Sequence, residues 1–131
     1  MQQAIFLHLG GVMDGKSGLV RTSPQRYWNL KLAFGYATIK TVSSDLIQLL
    51  LGHAIVVLVL NRAGISVFRS LYDFAGRGFS RMMLWECARR ECRIFAGLLP
   101  LLVCNMKALW STTITCTDAS PSGFGICERE L

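Results

Sequence analysis

Trp85, Ala88, Cys92, Phe95, Leu99 and Leu102 recur in alternating steps of three and four residues. Only an α-helix, with a period of about 3.6 residues, lines such a series up on one side. Glu86, Arg89, Arg90 and Arg93 fall on the opposite side. A helix with so clear a stripe depends on a second apolar surface to cover it. Pro100 lacks an amide donor and crowds the turn before it, so it should kink or end this helix.

Upstream segments offer the covering surface. Ser23 and Pro24 read as an N-cap and a first helical residue. A helix from Pro24 to about Lys40 would turn Tyr27, Leu30, Phe34 and Ala37 inward. Ser43-Ser44-Asp45 is the next start signal, and Asp45 with Gln48 resembles a capping box. This second helix runs to about Leu60 and is apolar nearly all round, which predicts burial. Gly52 in its middle costs about 1 kcal/mol of helix propensity, so another element is expected to pack close there. Asn61 to Gly64 ends it. Ser66 is expected to cap a short helix through Phe74 or Ala75, before Gly76-Arg77-Gly78 breaks the chain.

Both ends read as strands. Ala4 to Leu9 is strand-like, Asp14-Gly15 is a hairpin dipeptide, and Leu19-Val20 begins a return strand. Near the other end, Ile114 to Thr117 is β-branched and apolar, with Asp118 at the strand's end. Ser120-Pro121-Ser122-Gly123 is a turn signal, and Gly123-Phe124-Gly125-Ile126 opens a returning strand. The expected fold class is α+β and mostly helical: an N-terminal β-hairpin over 1–23, three to four helices over 24–110, and a C-terminal β-hairpin over 111–131. A chain of 131 residues is long enough for one real core.

The chain is 52% hydrophobic, with a mean hydropathy of +0.40. The longest apolar run, Leu46 to Leu60, falls short of the roughly 20 residues a spanning helix needs, and it contains Gln48 and His53. Pro100 and Lys107 break the run from Ile94 to Leu109. Ala4 to Leu9 is too short for a signal peptide and lacks a basic flank. A membrane partner is therefore not expected. The five cysteines, Cys87, Cys92, Cys104, Cys116 and Cys127, form no C-x-x-C pair, and no histidine stands near them. That usage points to reduced, mostly buried thiols in an intracellular protein of cytoplasm or nucleus, without a zinc site.

The formal net charge is +6 and the pI about 9.4, a balance that suits nucleic acid or an anionic membrane surface. Arg62, Arg69, Arg77, Arg81, Arg89, Arg90 and Arg93 are opposed in their region only by Asp73, Glu86 and Glu91. Such a run fits a phosphate-facing surface and a solvated helical face alike. Tyr27, Trp28, Trp85 and Trp110 have rings that stack on bases, although helical spacing favours a core role. His8 and His53 sit in apolar surroundings and read as core histidines. Ser66, Ser80 and Ser111 lack a Gly-x-Ser-x-Gly context, so no serine hydrolase and no small-molecule substrate is expected.

Gly10 to Ser17 satisfies the phosphate-loop pattern G-x-x-x-x-G-K-S. That chemistry needs a helix directly after the loop, so that backbone N–H groups and the helix N-terminus receive phosphate. Here Gly18, Leu19-Val20 and then Pro24 follow, which favours a hairpin. Two alternatives stay open: a phosphate-loop nucleotide-binding protein, decided by whether Lys16 leads into a helix, and a small membrane-associated helical protein.

The order of the segments resembles that of a retroelement reverse transcriptase. Leu9-Gly10-Gly11-Val12-Met13-Asp14-Gly15 resembles the LG-x-x-x-D hairpin that closes the palm, and Thr22 to Arg26 the segment leading into the thumb. Leu50-Leu51-Gly52-His53, followed by Asn61-Arg62, resembles a thumb helix and the basic residue after it. Leu71-Tyr72-Asp73-Phe74 and then Trp85 to Leu102 look like the connection region. Thr117-Asp118-Ala119-Ser120, with Gly123 and Gly125, is similar to the start of the ribonuclease H domain. The resemblance covers nearly the whole chain in the family's order. It implies a palm-terminal hairpin over 1–23, a thumb and connection region over 24–110, and the opening of a ribonuclease H-like domain over 111–131.

The resemblance also implies an activity: RNA-directed DNA polymerase with ribonuclease H, acting on an RNA/DNA hybrid or duplex with Mg²⁺ in the parental enzyme. The arginines from Arg62 to Arg93 would then contact primer and template. Asp118 would be the catalytic metal ligand. Ser120, Gly123 and Gly125 would form the loop that approaches the substrate backbone. The polymerase's paired-aspartate motif is absent from the chain, and only Asp118 matches the ribonuclease H carboxylates. Glu128 and Glu130 fall on the second strand. Two-metal hydrolysis needs several carboxylates around ions about 4 Å apart. The implied role is that of a fragment, contributing nucleic-acid contacts, inactive alone and without a cofactor of its own.

Overall fold

Helix α1 (Pro24–Ile39) begins where Ser23 accepts a hydrogen bond from the Arg26 N–H at 3.4 Å, with Pro24 in the first helical position. A computed structural model shows this arrangement and describes residues 5–8, 11–109, 111–120 and 123–130. Helix α2 (Ser44–Leu58) is capped by Ser43, which accepts from the Leu46 N–H at 3.2 Å. The cap is thus Ser43 rather than Asp45. Asp45 lies in the first turn, where a negative charge suits the helix dipole. Ser44 is left for another task. It is buried, its hydroxyl donates to the Phe74 carbonyl at 2.9 Å, and it accepts from the Phe79 N–H at 2.8 Å.

A 3-10 segment (Arg62–Val67) leads to the short helix α3 (Ser70–Gly76). Ser66 does not cap that helix; its hydroxyl donates to the Ala63 carbonyl inside the 3-10 turn. Helix α4 (Glu86–Leu98) carries the apolar stripe, and a 3-10 turn over Leu99–Leu101 ends it at Pro100, as a missing amide donor requires. Along the stripe Ala88, Cys92, Phe95, Leu99 and Leu102 are buried, and Trp85 is half-buried.

Strands β1 (Ile5–His8), β2 (Gly11–Asp14) and β3 (Leu19–Thr22) form two successive hairpins. The sequence suggests one hairpin there. The second arises because Gly11 to Asp14 pairs on both edges. Strands β4 (Thr41–Val42) and β5 (Met82–Met83) make a minimal pair. Beyond Pro100 the chain returns as β6 (Val103–Asn105), which pairs with β3 and completes a four-stranded antiparallel sheet in the order β1-β2-β3-β6. Strands β7 (Thr113–Ser120) and β8 (Gly123–Glu130) form a separate antiparallel ribbon. The fold is therefore α+β, mostly helical, with small antiparallel sheets.

The core lies between the four helices. Phe34 of α1, Phe68 before α3 and Phe95 of α4 meet with ring centroids 4.6–5.8 Å apart, all nearly inaccessible to solvent. Helix α2 is not buried all round: Leu49 is 58% exposed and Val56 42%. Among the described residues no element packs against Gly52, where an added Cβ would meet nothing within 4 Å. Nor are the thiols mostly buried. Cys92 is buried, and burial pushes its thiol up to about 12, whereas Cys87, Cys116 and Cys127 are exposed. No helix among the described residues is long and apolar enough to cross a membrane.

Phe95→Ala removes the ring that touches both other phenylalanines. It should lower the free energy of unfolding by about 3–5 kcal/mol, read as a shifted urea midpoint with an unchanged slope.

Candidate nucleic-acid interface

Glu91 sets the electrostatics of the helical surface. It lies at the border between the buried and exposed sides of α4, and its two carboxylate oxygens reach α3. There Oε1 accepts the Ser70 N–H at 2.8 Å and Oε2 the Leu71 N–H at 2.9 Å. No side chain of α3's own start does this work, since Arg69 occupies the cap position without a capping bond. The contact also fixes direction. The start of α3 lies against Glu91, and Arg77 at its end lies over the Trp85 ring, 5.1 Å from the centroid. The two helices therefore run antiparallel.

The seven arginines divide into two groups. Arg89 and Arg93 share Glu86, at 2.7 Å and 3.2 Å. Arg77 stacks on Trp85, and Arg81 donates from Nε to the Thr41 hydroxyl at 2.9 Å. The side chains of Arg62, Arg69 and Arg90 are exposed and have no ion pair or hydrogen bond among the described residues. Arg69, Arg77, Arg89, Arg90 and Arg93 all belong to the α3–α4 pair, while Arg81 lies beside β4.

The aromatic residues divide as well. Trp85 belongs to the core, edge-on to Phe74 at 5.6 Å. Trp28 is 55% exposed, with the Lys31 ammonium 5.3 Å from its ring centroid. Trp110 and the side chain of His8 lie outside what the structure describes. His53 is not a core histidine. It is exposed and lines a groove of about 410 Å³ between α1 and α2, with Gln25, Arg26 and Asn29. The helical period places it with Leu49 and Val56 on α2's open side, although its sequence neighbours are apolar.

Of the Gly10–Ser17 motif, Gly10 lies outside the described residues, and Gly11 to Ser17 lie on a hairpin. Asp14 is the last residue of β2 and pairs with Leu19, so the loop is Gly15 to Gly18 rather than a tight Asp14-Gly15 turn. Gly18 takes the left-handed φ of +71° that a side chain would resist. The Asp14 carboxylate accepts the Ser17 hydroxyl at 2.6 Å and the Lys16 N–H at 2.9 Å, and the Gly18 N–H donates to the Asp14 carbonyl. Amides that a phosphate loop would aim at its ligand are thus engaged inside the turn. Strand β3, not a helix, follows Lys16.

In the ribbon, Asp118 stands opposite Gly125 and Ser120 opposite Gly123. The strand continues two residues past Asp118, so this residue lies within β7 rather than at its end. The side chains of Asp118 and Ser120 lie outside what the structure describes. Glu128 stands opposite Thr115 and Glu130 opposite Thr113, so neither acid faces Asp118 across the ladder. Among the described residues no group of three or more His, Cys, Asp or Glu is placed to hold a metal. Comparison with protein-family models, curated proteins and solved structures finds no match to this chain.

The Ser17 hydroxyl, and after it the Lys16 N–H, hold the Asp14 carboxyl below the ordinary carboxylate range. Because the folded value is the lower one, this stabilisation of the turn is present above the unfolded pKa and is lost as pH falls through the folded one. An NMR titration of the Asp14 carboxyl should show a midpoint below that of a free aspartate, and Ser17→Ala should move it back up.

Proposed function

We propose that this chain is part of a retroelement RNA-directed DNA polymerase with ribonuclease H, and that it contributes primer–template contacts rather than chemistry. The observation that carries this reading is the uncompensated charge on and before the α3–α4 pair. Glu91 is engaged by the amides of α3 and Glu86 by two arginines, which leaves Arg62, Arg69 and Arg90 without an ion pair among the described residues and Asp73 as the one further acid of the region. A phosphate backbone supplies that counter-charge and releases condensed ions as it does so. The partner is an RNA/DNA hybrid or duplex, recognised through its backbone without sequence preference, in an intracellular compartment.

The ribbon supports the second half of the reading. Its first strand carries an acid opposite a glycine, and its described side chains are almost all exposed, as suits the opening hairpin of a larger sheet. In a completed ribonuclease H domain Asp118 would be one ligand of Mg²⁺. That ion would lower the cost of attack on the phosphodiester. Ser120, Gly123 and Gly125 would line the approach of the substrate backbone. Alone, the chain carries out neither polymerisation nor cleavage.

Binding of a short RNA/DNA hybrid should be weak, and its logarithm should fall linearly with the logarithm of salt. Replacing Arg62, Arg69 and Arg90 together by Gln should reduce that slope by about one for each phosphate that is no longer neutralised. Replacing Arg77, which stacks on Trp85, should change it less. Binding that ignores salt, or no binding at low salt, overturns the reading.

Joining the chain to the downstream acidic segment of a ribonuclease H domain should create Mg²⁺-dependent cleavage of the hybrid, and Asp118→Asn should abolish it. Equal cleavage with Asp118→Asn would make Asp118 a strand residue only.

A further inference from the structure

The ladder of the ribbon places two nucleophiles face to face. Cys116 of β7 is the register partner of Cys127 of β8, and both thiols are exposed. Residues directly opposed in an antiparallel pair point to the same side. Directly opposed residues in an antiparallel ladder have Cα atoms about 4.5–5.5 Å apart, inside the span of about 4.4–6.8 Å that a disulfide tolerates. Their Cβ atoms are about 4.5–5.5 Å apart in such ladders, against the roughly 3.5–4.5 Å of a closed bond. Closure therefore asks for a movement of at most about 2 Å. A ribbon packed into a sheet sandwich would resist that movement. This one has nearly all its described side chains in solvent, and two-stranded ribbons vary widely in twist. The other cysteines have no such partner: Cys104 stands opposite Val20, Cys92 is buried, and Cys87 lies on the outer side of α4.

We propose that Cys116 and Cys127 form a dithiol site that takes a small organic disulfide, such as oxidised glutathione, and closes to an intrachain bond. One cysteine, as its thiolate, attacks a sulfur of the small disulfide, forms a mixed disulfide and expels one thiolate, which takes up the released proton. The second cysteine attacks the protein sulfur of that mixed disulfide and expels the other small thiolate, which is protonated in turn. The dithiol loses two electrons and two protons, and the small disulfide becomes two thiols. The bond closes the loop from 116 to 127 and fixes the register that holds Asp118 opposite Gly125. A two-stranded ribbon without packing is marginal on its own, so a covalent clasp has a large effect there. This site is independent of the function proposed above.

The test is incubation of the full chain with oxidised glutathione, followed by alkylation, proteolysis and mass spectrometry. The expected product is a Cys116–Cys127 cross-link that has lost two hydrogen atoms and retains no glutathione. Cys116→Ser and Cys127→Ser should each trap glutathione on the remaining ribbon cysteine. Amide exchange across β7 and β8 should slow by at least about tenfold on closure. A Cys87→Ser, Cys104→Ser double variant removes competing thiols without touching the ribbon, and it should form the same cross-link. Glutathione retained on both ribbon cysteines of the unsubstituted chain would overturn the proposal. So would cross-links distributed over Cys87 and Cys104, or closure that leaves amide exchange unchanged.

Discussion

Three phenylalanines from distant parts of the chain hold the helical body together. Phe34 and Phe68 lie nearly parallel, and Phe95 meets both at a tilt of just over 50°. Tilted contacts set the positive edge of one ring against the negative face of another, which adds to the stabilisation from burial alone. The cluster ties α1 to the segment before α3 and to α4. Once α4 is seated by Phe95, its other faces are determined. Ala88 and Cys92 turn inward, Arg90 and Arg93 turn outward, and Glu91 comes to rest at the first turn of α3. The end of α4 at Pro100 then directs β6 back to β3 and closes the sheet.

Glu91 links the fold to its charge. A helix of seven residues has little intrinsic stability, and α3 lacks a cap of its own. The carboxylate across the interface supplies one, engaging two amides at once. Its negative charge is thereby held at a helix N-terminus, where the dipole favours it, and is withdrawn from the arginines beside it in sequence. Packing and electrostatics are the same event here. Seating α3 leaves the outer surface more basic than a count of nearby acids suggests.

What was legible in the sequence follows from how local each signal is. The α4 stripe, the Ser23 cap and the pairing of β7 with β8 depend on neighbours a few residues away, and all three form, although β7 runs two residues past Asp118. Ser43 and Ser44 are chemically alike, so only the distant Phe74 and Phe79 backbone shows that Ser44 is the buried one. The same holds for the surface. Arg90 faces outward by helical period alone, but Arg81 meets Thr41 across forty residues and Arg77 meets Trp85 through the α3–α4 packing. No pattern within a helix carries that information. Strand β6 and the pairing of β2 on both edges were hidden for the same reason. Cys116 and Cys127, in contrast, were open to a register count from the Ser120–Gly123 turn.

The high apolar content of the chain has a definite location. Helix α1 buries Leu30, Phe34 and Ala37 on one side and exposes Trp28, Leu32, Tyr36 and Ile39 on the opposite side. Helix α2 adds Leu49 and Val56, its C-cap adds Val59, and the ribbon adds Ile114 and Ile126. Single exposed apolar residues are ordinary, but residues 28, 32, 36 and 39 form a continuous row at helical spacing. Such a row is the kind of surface that an apolar partner or a further element covers, and it lies on the side of α1 turned away from the phenylalanine cluster.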